Sequence, residues 1–164
     1  MTKLELLNIN RVLNQLGKLK GAKFAYGVTK NLNLLKPEME SIEKAGAASE
    51  EYVKFEKEVR LPLVEKYAKR DEEGKLIVKG GNYEIENQEE FDKEFEKIKK
   101  ENQEVWNERE KQVNEYGSFL NTESTLELYK INFSDFPQDI SVEQMYQLSA
   151  IINEDEKIVS PYNQ

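Results

Sequence analysis

From Gln88 to Tyr116 the positions Phe91, Phe95, Ile98, Asn102, Val105, Arg109, Gln112 and Tyr116 advance in alternating steps of four and three. That spacing is the signature of a helix with one seam, and Trp106 and Val113 widen the stripe. Asn87 with Glu90 three residues on supplies a capping box at its start, and Glu89 with Lys93 and Glu96 with Lys100 add charge pairs on its outer side. Such a helix is about 45 Å long at 1.5 Å per residue, which demands a second helix beside it.

The preceding stretch provides that partner. Ser49 followed by Glu50 and Glu51 is an N-cap with acids in the first turn, and Tyr52, Phe55, Val59, Leu63 and Tyr67 continue at helical spacing, with a kink expected at Pro62. Asp71-Glu72-Glu73-Gly74 breaks the pattern. Residues 75–79 and 83–86, joined through Gly80-Gly81-Asn82, then read as a short β-hairpin. The expected fold class is mainly α with a minor β part, centred on a long antiparallel helical hairpin over 37–118 with a β tip at 75–86.

Before it, Leu4, Leu7, Val12, Leu13, Leu16 and Leu19 predict a first helix ending near Gly17 or Gly21. Phe24, Val28, Leu32, Leu35, Met39 and Ile42 predict a second, where Pro37 must kink the helix or start a new one. After Gly117, residues 125–133 alternate as a strand does, and Ser141 with Gln144 caps a short last helix through Val142, Met145, Leu148 and Ile151. The tail from Asn153 is acidic and expected to fray. With 164 residues, the whole is expected to be one folding unit: a basic segment 1–36, the hairpin 37–118 and the strand and helix of 119–164.

The chain has no cysteine and no histidine. Disulfides, zinc-thiolate sites and histidine-dependent triads therefore fall away. The glycines at 17, 21 and 27 match neither phosphate-loop spacing. Asp71-Glu72-Glu73-Gly74 lacks the alternating ligands of a calcium loop and reads as an acidic turn. Glu104 and Glu108 share a helical face, but on a helix this charged a solvated face is the plain explanation. Asn132-Phe133-Ser134 fits the glycosylation triplet and, with no signal peptide ahead of it, carries no weight. No catalytic, cofactor-binding or metal-binding residue is assigned, and no cofactor is expected.

Charge is distributed unevenly. Residues 1–37 hold seven bases against the single acid Glu5, net +6, while the remainder holds 17 bases and 31 acids, net −14. Two candidate surfaces follow. The strand gives an interaction edge at Leu126, Leu128, Tyr129, Ile131 and Phe133, because a lone strand must pair with something. The basic segment gives a nucleic-acid patch at Lys18, Lys20, Lys23, Phe24, Tyr26 and Lys30, aromatics among lysines. Its plain alternative is that those lysines answer the acidic remainder of the same molecule.

Gly21-Ala22-Lys23-Phe24-Ala25-Tyr26-Gly27-Val28-Thr29-Lys30-Asn31, Asn121-Thr122-Glu123 leading into Leu126–Ile131, and Asp139-Ile140-Ser141-Val142-Glu143-Gln144 together carry a resemblance. The chain looks like small uncharacterised proteins encoded by bacteriophages and prophages, over most of its length in order of elements. That family has no assigned activity. The resemblance implies a context: a product acting in the cytoplasm of an infected bacterium, or in the virion. With it, the expected function is a non-enzymatic accessory protein that binds a protein partner, for instance to inhibit a host defence or another host process. The alternatives are a virion, scaffolding or assembly component that self-associates, and a nucleic-acid-binding protein using the basic segment. No membrane partner is expected, since no apolar run approaches the roughly 20 residues of a span.

Overall fold

The computed structural model describes residues 1–17 and 19–154. It is mainly α with two small sheets. The chain forms two compact units, one from residues 1–45 and 117–164 and the other from residues 46–116. The sequence-based segments 1–36, 37–118 and 119–164 divide at other points, because residues 117–154 fold with residues 1–45 in the first unit.

In that first unit, helix α1 (Lys3–Gln15) starts at a capping box in which Thr2 accepts from the Glu5 backbone and Glu5 accepts from the Thr2 N–H. The start is tied down by backbone bonds to residues 122–124, Lys3 N–H to the Thr122 carbonyl and Ser124 N–H to the Met1 carbonyl. Its Leu6, Ile9, Val12 and Leu13 enter a core shared with Leu16, Phe24, Leu35, Ile131, Leu148 and Ile151. Helix α2 (Ala22–Gly46) runs on through Pro37. The ring removes the hydrogen bond to the Asn33 carbonyl, and Asn33 is an exposed residue.

The second unit is the expected antiparallel helical hairpin. Its first arm is helix α3 (Glu50–Phe55), a π-helical turn over Glu56–Arg60, and helix α4 (Leu61–Tyr67), with Ser49 capping the Tyr52 N–H. The π turn carries the chain into Pro62, and the Leu61 N–H reaches back five residues to the Glu56 carbonyl. The second arm is α5 (Gln88–Glu101) and α6 (Gln103–Leu120), of which residues up to Tyr116 belong to this unit. Arg109 lies over the Tyr52 ring at 5.2 Å, Phe55 meets Trp106 at 6.4 Å and Tyr67 meets Phe91 at 6.0 Å, so rising numbers face falling ones. All eight seam positions from Phe91 to Tyr116 are half-buried.

The single helix expected over 88–116 is instead two. Asn102 interrupts it at φ −118°, ψ 33°, where its own N–H and its side-chain amide both bond the Ile98 carbonyl. A side chain that competes for a backbone acceptor is what makes asparagine a poor residue inside a helix. The second helix also runs past Gly117, to Leu120.

Between the arms, β1 (Val78–Lys79) pairs antiparallel with β2 (Asn82–Tyr83). The turn is Gly80-Gly81 with φ of 58° and 85°, the doubly left-handed geometry that glycine alone accepts without strain. Glu84 closes the tip through Lys69 at 2.8 Å and Lys79 at 2.8 Å. The hydrogen bonds from Lys69, then Lys79, hold its carboxyl down at about 2. Since the folded value lies below the unfolded one, this contribution is present above the ordinary glutamate value of 4.5 and is lost as pH falls through about 2. The Glu84 carboxyl carbon followed by NMR is therefore expected to titrate with a midpoint near 2. Lys69→Ala should raise that midpoint more than Lys79→Ala; a midpoint in the ordinary glutamate range would refute the bridge.

The strand expected over residues 125–133 is reduced to β3 (Ile131–Asn132), which pairs parallel with β4 (Ile152–Asn153). Helix α7 (Val142–Gln147) lies between them and starts at the expected Ser141–Gln144 capping box. Asn153 is thus paired, and the tail from residue 155 lies outside the described residues. No helix among the described residues is long and apolar enough to cross a membrane.

Candidate functional site

Residues 129–135 cross the first turns of α2 and are held there by two features of that helix. Gly27 lets the Ile131 side chain pack directly on the α2 backbone, because a Cβ at this position would lie 2.6 Å from Ile131 Cγ1 and 2.7 Å from Ile131 Cδ1. One turn later, Asn31 is fully buried and uses both ends of its amide on one residue. Tyr129 N–H donates to Asn31 Oδ1 at 2.7 Å, and Asn31 Nδ2 donates to the Tyr129 carbonyl at 2.9 Å. An asparagine side chain thereby takes the place of a neighbouring strand, which is why the segment is extended without being part of a longer sheet.

This seat fixes a shallow groove of about 460 Å³ lined by Ala22, Lys23, Tyr26, Tyr129, Ile131, Asn132 and Asp135. Tyr26 is 61% exposed. Its ring stands edge-on to Tyr129 at 6.0 Å and 87°. Lys30 Nζ lies 4.1 Å from the Tyr129 ring centre and 5.9 Å from that of Tyr26, a cation held by two π faces. At the rim, Lys23 Nζ is 3.5 Å from Asp135 Oδ1. Lys23, Tyr26 and Lys30 recur at steps of three and four, so one exposed face of α2 presents all three.

The groove draws members from both surfaces expected from sequence. Of the interaction edge, Tyr129 is at the surface and Ile131 is buried beneath it, while Leu126 and Leu128 pack on the core and Phe133 is exposed in a 3-10 turn outside the groove. The edge is therefore not an open ladder: at Tyr129 it is already paired to Asn31. Of the basic patch, Lys23 and Tyr26 line the groove, Lys30 lies against the Tyr26 and Tyr129 rings just outside its lining, and Lys20 is exposed beyond it. Phe24 points the other way into the core, 1% exposed and 5.2 Å from the Phe136 ring. Lys18 lies outside the described residues.

Sequence reasoning passed over Gly27 and Asn31. A signal existed for the second: Asn31 is seven residues after Phe24 and four before Leu35, so it lies on the buried stripe of α2, where an amide needs a partner. Among the described residues no group of three or more acidic side chains is placed to hold a metal ion. Comparison of the chain with protein-family models, curated proteins and solved structures finds no match in any of the three.

Proposed function

We propose that this chain is a non-enzymatic bacteriophage accessory protein that binds a protein partner, inhibiting a host defence or another host process, and that the Tyr26–Tyr129 groove is its contact surface. One observation carries the choice of surface: Tyr26 stands 61% exposed beside a second tyrosine, on a backbone fixed from below by Gly27 and Asn31. Exposed, pre-positioned tyrosines supply large contact area with little side-chain entropy to lose, and a charged rim around an apolar centre is ordinary interface anatomy. The phage context rests on the resemblance carried by Gly21–Asn31 and the segments after Asn121.

Nucleic acid is the second reading, favoured by one feature, the open Tyr26 ring among Lys23 and Lys30, as on a stacking platform. Affinity capture with the full chain from host lysate, with and without nuclease, separates the two. The expected result is a stoichiometric protein that survives nuclease and is lost with Tyr26→Ala. Capture indifferent to Tyr26→Ala sinks the groove as contact surface, and capture abolished by nuclease promotes the second reading.

A further inference from the structure

We infer that the partner segment seated in this groove is acidic, a carboxylate side chain adjacent to an aromatic or branched apolar one. The inference rests on the groove being the contact surface and adds the chemistry of what enters it. From Leu6 to Pro37 the chain has no aspartate or glutamate, so the exposed face of α2 that forms the groove wall carries cations only. The acid that the groove does contain, Asp135, is engaged by Lys23. Lys30 is different. Among the described residues its ammonium meets two rings and is paired with no carboxylate. An ammonium carries three N–H donors, and ring faces do not satisfy them as an oxygen acceptor would, so Lys30 can still donate to an incoming carboxylate.

Two of the groove's acceptors are already used. The Tyr129 carbonyl takes the Asn31 amide, and Asn132 Oδ1 accepts from Asn153 Nδ2 at 2.9 Å. What remains open is a cation beside an apolar surface of Tyr26 and Tyr129 ring edges, complementary to a carboxylate with an apolar neighbour. A nucleic-acid strand fits less well. Lys30 covers one face of Tyr129, Asp135 would lie against the phosphates, and a net charge of −8 opposes a polyanion over the rest of the surface.

A displayed library of random dodecapeptides panned against the immobilised full chain tests this, with Tyr26→Ala, Lys30→Glu and Lys36→Glu alongside. All three positions are exposed, and circular dichroism verifies that each variant is folded. The expected pool is enriched in Asp or Glu next to Phe, Tyr or Leu. Its members should lose at least about tenfold in affinity with Lys30→Glu and should keep it with Lys36→Glu. A pool that needs Tyr26 but shows no acidic enrichment overturns the inference and leaves the groove standing. A pool indifferent to both Tyr26 and Lys30, or none at all, overturns inference and contact surface together. Fluorescent oligothymidylate bound through Tyr26 more tightly than any selected peptide would assign the groove to nucleic acid instead.

Discussion

Replacing Asn31 by Leu is expected to destabilise the first unit by about 1–4 kcal/mol, since two part-buried backbone groups lose their fully buried partner at about 0.5–1.5 kcal/mol each, and more where water cannot reach them. Leucine has as many side-chain heavy atoms as asparagine and a larger volume, so the loss does not come from a cavity. It comes from the Tyr129 N–H and carbonyl, now paired to Asn31 at 2.7 and 2.9 Å and left facing a methyl group in the variant. Urea denaturation reads the effect as a lower midpoint with an unchanged slope. Asn31→Asp makes the test sharper. Its carboxylate still accepts from the N–H but turns its second oxygen on the Tyr129 carbonyl, so this variant should recover stability on acidification, when the carboxyl regains a donor. A loss under about 0.5 kcal/mol in Asn31→Leu, the range of ordinary surface substitutions, would remove the amide clamp as the anchor of the segment.

The elements legible in the sequence are those whose causes are local. The seam over Phe91–Tyr116, the Ser49 and Ser141 caps and the Gly80-Gly81 turn each depend on residues within a few positions of one another, and each forms. The break at Asn102 has a local cause too, but the periodic pattern runs through it unaltered, which hid it. Residues 125–133 misled for a different reason. Leu126 and Leu128 turn inward with Glu127 and Tyr129 outward, as alternation requires, but Lys130 also faces out before Ile131 turns in. The alternation reported an extended backbone packed on a core, and it is silent on what pairs with that backbone. The partner here is a side chain 98 residues away. The groove was legible by halves: its lysines and Tyr26 stood out as a basic aromatic cluster, Tyr129 and Ile131 as a strand edge. Only the crossing at Gly27 and Asn31 brings the halves together.

That crossing makes Gly27 the second position where a small change should have a large effect. A helical glycine replaced by alanine ordinarily gains about 1 kcal/mol from propensity, so a neutral exposed site would be stabilised. Here the new Cβ falls 2.6 and 2.7 Å from two side-chain carbons of Ile131, which is 2% exposed, so that side chain or the segment carrying it must shift. Overpacking of this kind costs about 1–3 kcal/mol, enough to reverse the sign for Gly27→Ala. Gly27→Val adds two methyl groups and β-branching to the same contact, for an expected net loss of about 2–4 kcal/mol. The contact itself is isolated by adding Ile131→Ala. If Gly27 and Ile131 hold the crossing by close approach, the double variant should be more stable than the two single losses predict, by a coupling of about 0.5–3 kcal/mol. Strict additivity would mean that the segment shifts along the helix without cost. Because the same crossing positions Tyr129 against Tyr26, Gly27→Val should also weaken any ligand that depends on Tyr26, although residue 27 lies beneath the groove and outside its lining. Stability and binding lost together at a residue under the site is the pattern expected of a groove built by the close packing of Ile131 on α2.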